Sequence, residues 1–534
     1  MKFNATQIPY HATGLFSQLV QDYLDAKGTA LDYVNYAPTL EGVQNAITGR
    51  KNFPINRGLL HEVLQAQYAN LPSLEAVTQN VNLLLHENTF VITTAHQPNI
   101  FTGPLYFFYK IIHAIQIAAE LKKKFPENNY VPVYYMGSED ADIDEVGSFY
   151  LGKSKLQWQT KQTGAVGRMK VDEPLLSLLK NIEGYWSVKQ QGKEAFEVLQ
   201  NAYKKGATIN EATLSLVHAY FGKYGLVVVQ PDDAKLKSCF IPVMEKELTS
   251  MFSQKALQPT LQKLRDQYHV QTEGRSINLF YLQDNTRSRI EFKDGMYTIV
   301  DTELVFTKEQ IIAELHAHPQ KFSPNVILRG LYQETILPGI VFVGGGGELA
   351  YWMELKNVFA EAGVHYPVLQ LRNSFLFIKQ KIAKQWLDLG FNLTDLFNPI
   401  LKLESDFVKS HTQNNLSLAT VLSELEIVYK AIHDQAIKVD ATLGDHTMNL
   451  STQAVKKVIE LEKKLVKAEK RKQATAIERI HHIKNELFPE NSLQERVDNF
   501  SDWVGDQGWA WVEAVLQNSN TMEQSFTIVS VQND

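Results

Sequence analysis

Residues 90–146 read FVITTAHQPNIFTGPLYFFYKIIHAIQIAAELKKKFPENNYVPVYYMGSEDADIDEV, and this stretch decides the fold. Residues 90–95 are a short β-rich run that stops at His96-Gln97-Pro98-Asn99. Pro104 then follows Gly103, where a helix accepts proline in its first turn. Residues 105–121 are apolar nearly all round, broken by Lys110, His113 and Gln116, and Lys122 to Lys124 stand where cations complement a helix C-terminus. Residues 130–136, valine and tyrosine without polar alternation, read as a fully buried strand. The spacing predicts a βαβ unit. In an open parallel sheet ligands bind beyond the carboxyl ends of the strands, so the polar loops 96–103 and 137–144 are expected side by side in one crevice.

Further along, residues 226–229 form another buried run that ends in Gln230-Pro231-Asp232-Asp233, adding a third loop to the same crevice. Residues 326–328, 340–343 and 367–371 supply more β segments, with a helix over 349–362 between the last two. Gly344-Gly345-Gly346-Gly347-Glu348 follows a strand and opens that helix, where unobstructed amides can meet a phosphate or carboxylate. Gly345, Gly347 and Ala350 fit G-x-G-x-x-A, but the next strand ends at Gln370-Leu371-Arg372 without an acid to hold a ribose, which argues against NAD. A Walker A loop is excluded, since no Lys-Ser or Lys-Thr follows the glycines.

The acidic loop after the second strand, with Ser138 before it, packs Glu139, Asp140, Asp142, Asp144 and Glu145 together, a density that can fix an amine, bind a cation or supply a general base. Its spacing does not fit an EF-hand. A solvated turn that caps the following segment is the plainer reading. His96 can donate a proton, contact an anion or cap the helix, with Gln97, Asn99, Thr102 and Gly103 beside it in front of a helix N-terminus. The other histidines lack metal-ligand partners at a recognisable spacing, so no metal is expected. Cys239 has no paired histidine and reads as a small hydrophobe.

A chain of 534 residues, 44% hydrophobic and 21% charged, is long enough for two to four domains. The formal net charge of −6 argues against a general nucleic-acid binder. One cysteine and no charged, then apolar, leader near Met1 fit a reducing, cytoplasmic compartment. The longest apolar run is broken by Lys110 and too short for a membrane span, so neither a transmembrane helix nor a membrane partner is expected. The domain pattern expected is an N-terminal helical and irregular segment over 1–89, a Rossmann-like core over 90–385 with insertions at about 147–222 and 245–325, a coiled-coil helical domain over 386–500, and a segment over 501–534 returning to the core. In the helical domain Leu418, Val421, Leu425, Val428 and Ile432 step by three and four, as do Ala454, Val458, Leu461, Leu465 and Ala468. The register skips near Lys472 and Thr475. An intramolecular antiparallel hairpin is the simplest solution, and pairing of two subunits into a homodimer stays open.

The segments TAHQPNIFTGPLYFFYK, PVYYMGSEDADIDEV, FGKYGLVVVQPDD, NLFYL, VGGGGELAYWMELK, PVLQLRNS, KLVKAEKRK and LFPENSLQERVDNF, in that order, resemble the bacillithiol synthases, a family of cysteine ligases. The resemblance implies an α/β fold: a Rossmann-like parallel-sheet core similar to class I aminoacyl-tRNA synthetases, two insertions and a C-terminal α-helical coiled coil. It implies a ligase that joins the carboxylate of cysteine to the amine of glucosaminyl malate as an amide, both substrates being small molecules. By analogy with the synthetases alone, ATP would activate cysteine. Under this implication the loop with His96, Gln97, Asn99, Thr102 and Gly103 and the turn Gly344, Gly345, Gly346, Gly347 and Glu348 bind phosphate or carboxylate. Glu139, Asp140 and Asp142 orient the amine and take up its proton, and Arg329 and Arg372, with Asn373 next to it, pair a carboxylate. Two other readings stand beside it: a sugar-nucleotide glycosyltransferase using Asp140 and Asp142, and a non-enzymatic coiled-coil scaffold whose core senses a ligand.

Overall fold

The five runs of buried β residues join into one parallel sheet: β1 (Thr89–His96), β2 (Asn129–Met136), β3 (Val227–Val229), β4 (Gly339–Gly344) and β5 (Val368–Leu371), in spatial order β5-β4-β1-β2-β3. The register is continuous from Thr89 opposite Asn129 to His96 opposite Met136, and β4 pairs with β1 through Val343 opposite Thr94. This is the doubly wound order 3-2-1-4-5, whose direction of winding reverses between β1 and β4. The computed structural model describes residues 2–412 and 416–532, so the outermost residues of the two terminal segments fall outside it.

Helix α1 (Tyr106–Lys124) crosses from β1 to β2. Of its 19 residues 12 are buried, which is why its sequence carries no polar face. Its Ala114, Ile117 and Leu121 pack with Ile92 and Phe90 of β1 and Val341 of β4 in the core. The Lys122 ammonium closes its C-terminus by donating to the carbonyls of Pro126 and Asn128, each at 2.9 Å. The turn entering α1 is strained, with Phe101 at φ 47° and Thr102 at φ 68°. It is held from outside: Tyr203 Oη accepts the Phe101 N–H at 2.7 Å, and Asn499 Nδ2 donates to the carbonyls of Phe101 and Gly103 at 2.9 and 2.6 Å. Gly103, at φ 62°, is required because a Cβ there would lie 2.9 Å from Asn99.

Three elements differ from the sequence expectation, one being the helix expected over 349–362, which is two, Gly346–Glu354 and Lys356–Ala362. Val326–Ile336 is a helix, α2, and not a strand: Asn325 accepts the Ile327 N–H at 2.9 Å and so caps it, and the apolar residues recur with helical spacing. The N-terminal segment, expected to be helical and irregular, opens with a strand, Lys2–Pro9. Between β3 and β4 the chain builds an antiparallel sheet from Leu279–Gln283, Thr286–Lys293, Met296–Ile299, Val305–Phe306 and Phe322–Pro324. Helix α3 (Gly346–Glu354) follows β4 directly.

The chain divides into two compact units, one of Ala5–Leu376 with Ser492–Thr527 and one built on Phe377–Asn491. In the second unit α4 (Ala419–Val439) and α5 (Leu443–Lys472) form an antiparallel hairpin joined by three residues, and the register skip is a break between Lys472 and the helix Ala474–Leu487. On α4 the paired face is rotated from the expected seam, whereas Ala454, Val458 and Leu465 of the expected α5 seam are part-covered. Leu422, Leu425, Tyr429 and His433 are the more covered positions, whereas Val421, Val428 and Ile432 stay 47%, 53% and 44% exposed. Polar side chains on the paired face, Tyr429, His433 and Thr447, hid it from an apolar count. Among the described residues no helix is long and apolar enough to cross a membrane.

A titration of stability follows from α2. Glu334 is buried near the amino end of β4, where a Cβ on Gly339 would strike it, and burial pushes its carboxyl up to about 7 although Arg50 pulls the other way. An acid with a raised folded pKa gives stability that is fully present below its unfolded pKa and lost as pH rises through the folded one. The loss here runs from about pH 4.5 to 7 and totals about 3 kcal/mol. Glu334→Gln should remove that slope, and chemical denaturation at pH 5 and pH 8 measures it.

Candidate active site

At the winding reversal the strand-end loops enclose a cleft of about 450 Å³. Its floor is the Gly345–Gly347 turn, with His96 at the end of β1, Gln97 after it, and Tyr106 and Lys110 from the first turns of α1. A Cβ on Gly347 would meet nothing within 4 Å, so the start of α3 is open at that residue. The Gly345 N–H is already used, donating to Glu348 Oε2 at 2.8 Å. That carboxylate pairs with Lys110 Nζ at 2.5 Å, and the same ammonium donates to the Ala95 carbonyl at 2.9 Å. Glu348 thus occupies part of the anion seat that the glycine turn creates.

Beyond Glu348 the lining carries Glu145 and three arginines, Arg329, Arg372 and Arg496. Arg329 projects from α2 beside Tyr351, its hydrogen-bond partner, and forms no ion pair among the described residues. Arg496 reaches the lining exposed. Arg372 is different: its Nη2 is 2.7 Å from Glu495, Nη1 donates to the Asn373 carbonyl at 3.0 Å, and the guanidinium lies over the Tyr106 ring. It is a neutralised part of the wall, while Arg329 and Arg496 are the cations left for a ligand.

His96 packs its ring against Tyr106 and Phe107, and its Nε2 is buried without a hydrogen-bond partner. Burial, and then the charges of Lys110, Arg329 and Arg372, hold its pKa well below the usual imidazole range. It is therefore an uncharged imidazole at neutral pH, and the same burial and neighbouring cations make it a weak base.

The acidic loop divides into three parts. Asp140 Oδ2 accepts from Gln97 Nε2 at 3.2 Å and so stands next to the cleft, and Glu145 lines it. Asp142 is exposed and caps Ile143–Val146 by accepting the Glu145 N–H at 3.1 Å. Glu139 turns away into a buried network: it pairs with Lys237, accepts from Ser323 Oγ at 3.1 Å, and lies near Asp232, which Arg168 holds through two hydrogen bonds of 2.6 and 2.7 Å. This network fastens both insertions to the strand-end loops.

The remaining candidates do not line the cleft. Asn99, Thr102 and Ser138 are buried with unpartnered side-chain oxygens, and Gly103 lies in the strained turn. Gly344 ends β4 and accepts the Arg372 N–H at 2.8 Å. Asn373 is buried and donates its N–H to His113 Nδ1 at 3.2 Å. Sequence reading passed over Tyr106, Lys110, Tyr351, Arg496, Gln271 and Thr272. A lone lysine four residues after a tyrosine on an otherwise apolar helix was the signal for the first pair; the last two carry none.

Residues 1–373 match the family model described as "Bacillithiol biosynthesis BshC, N-terminal Rossmann-like domain", and residues 375–531 match "Bacillithiol biosynthesis BshC, C-terminal coiled-coil domain". The chain belongs to the BshC family. A relative in Flavobacterium johnsoniae is 38% identical over 98% of this chain and 99% of its own. One in Christiangramia forsetii is 37% identical over 98% of each, and one in Bacillus cereus 25% identical over 96% and 98%. All three bear the name "Putative cysteine ligase BshC". A solved structure titled as an arginyl-tRNA synthetase of Campylobacter jejuni aligns over 83% of this chain and 99% of that one, at 12% identity and a TM-score of 0.20, too slight a likeness to carry an argument.

Proposed function

We propose that the protein forms an amide between the carboxylate of cysteine and the amine of glucosaminyl malate, closing bacillithiol synthesis in the cytoplasm. Family membership over the whole chain carries the reading, and the cleft supports it. Both substrates bring carboxylates, which Arg329 and Arg496 are free to pair. The attacking amine must shed a proton, and Asp140, held by Gln97 next to the cleft, orients the ammonium form and takes that proton up, with the uncharged His96 beside it on the lining.

A carboxylate does not condense with an amine in neutral water without activation, and ATP is the activator we propose, supplying a leaving group when bound. The helix start at Gly346 and Gly347, on the cleft lining, suits its phosphates. Asp142, exposed and occupied as a cap, has no part in this scheme.

The test is genetic and chemical together. In a bacillithiol-making host lacking its own family member, this chain should restore the thiol and drain accumulated glucosaminyl malate, and Asp140→Asn should lower the rate about tenfold or more. No restoration by the unaltered, folded chain would sink the reading. Restoration at full rate by Asp140→Asn would remove that residue's role.

A further inference from the structure

The segment 266–278, between the helix Phe252–Arg265 and the strand Leu279–Gln283, has no regular structure, yet two buried carboxylates hold it. Glu354, at the end of α3 and fully buried, accepts the N–H of Gln271 at 2.6 Å and of Thr272 at 3.2 Å. Glu247, also fully buried, accepts the Asn278 N–H at 2.9 Å, and Asn278 in turn accepts the Arg275 N–H at 3.0 Å. Burying a carboxylate costs several kcal/mol, and an apolar side chain in the same space is often more stabilising. Two such groups committed to one irregular loop indicate that the position of the loop matters more than the stability it adds. What the loop places is specific: Gln271 and Thr272 are its contribution to the cleft lining, and neither side chain is engaged by another group among the described residues. They bring an amide and a hydroxyl, uncharged donors and acceptors, into a cleft whose other free polar groups are mostly ionic.

We propose that Gln271 and Thr272 read the uncharged, hydroxyl-bearing part of the acceptor substrate, its sugar ring, and that Glu354 is the positioning residue that fixes them at the cleft. The inference rests on the amide-ligase reading above and adds to it the residues that select a glycosylated acceptor over its bare carboxylate portion. A buried carboxylate bound to two consecutive amides sets both residues at once, which a side chain held only by packing would not do.

Calorimetric titration of the full-length protein with glucosaminyl malate and with malate tests it. Thr272→Val and Gln271→Ala, both at accessible positions, should each weaken glucosaminyl malate about tenfold and leave malate unchanged. Glu354→Gln replaces one accepting oxygen with a donor. It should show the same selective loss together with faster tryptic cleavage after Arg275. Equal weakening of both ligands, or unchanged binding of glucosaminyl malate by Thr272→Val and Gln271→Ala, overturns the proposal. Failure of the unaltered protein to bind either ligand is a different result and overturns the ligase reading with it.

Discussion

Replacing Arg329 with Ala should lower kcat/KM by about 10²–10³-fold while leaving the protein folded. Removing one member of a desolvated, hydrogen-bonded charge pair costs about 2–5 kcal/mol, much of it from the charge left unpaired. In the free protein Arg329 has no such partner, so the loss appears only when a substrate carboxylate occupies the cleft. Thermal denaturation without ligand should change little, and the steady-state rate with both substrates should change greatly. Arg329→Lys should recover only part of the rate, because a single ammonium cannot match the two parallel donors of a guanidinium. A rate within threefold of the unaltered protein in Arg329→Ala would remove the residue from the substrate site.

The opposite pattern is expected at Lys237. This side chain is 1% exposed, donates to the Phe322 carbonyl at 2.9 Å, pairs with Glu139 and lies 3.8 Å from Asp232. Lys237→Met leaves two buried carboxylates with Arg168, Ser323 and the more remote charge of Arg287, and should destabilise the first unit by about 3–5 kcal/mol. The double variant Lys237→Met with Glu139→Gln should regain part of that loss, since it removes one stranded charge together with its partner. Urea denaturation of the two single variants and the double variant gives the coupling directly. Equal stability of Lys237→Met and the parent protein would mean that the network is relaxed by water. The sequence suggested Glu139 as a catalytic carboxylate; its surroundings make it a fastening between the β2 loop and the second insertion.

How much of this was legible in the chain depends on the range of the interaction. Residues 90–146 displayed strand, helix and strand because local periodicity there is not contradicted by tertiary contacts, and the glycine turn after β4 declared itself by composition. The fold class followed, and with it the edge of the sheet where the loops meet. Residues 326–328 read as β from their β-branched start, Val326-Ile327, whereas the side-chain cap at Asn325 and the packing of the following turns make them helix. The hairpin seam misled because its paired face is partly polar. Within the acidic loop, sequence could not separate Asp140, Glu139 and Asp142, whose fates are set by Gln97, by Lys237 and by a local amide. Gln271 and Thr272 meet the cleft only through the fold of an insertion, and no local pattern marks them.

The pairing of Glu348 with the Gly345 amide and Lys110 gives the cleft a resident competitor. Chloride, inorganic phosphate and other abundant small anions arriving at that corner find the place already taken by a tethered group at very high effective concentration, and a single weak charge cannot evict it. Only a ligand that grips elsewhere at the same time gains enough to turn the glutamate aside. That corner thus favours multiply anchored guests over bulk ions.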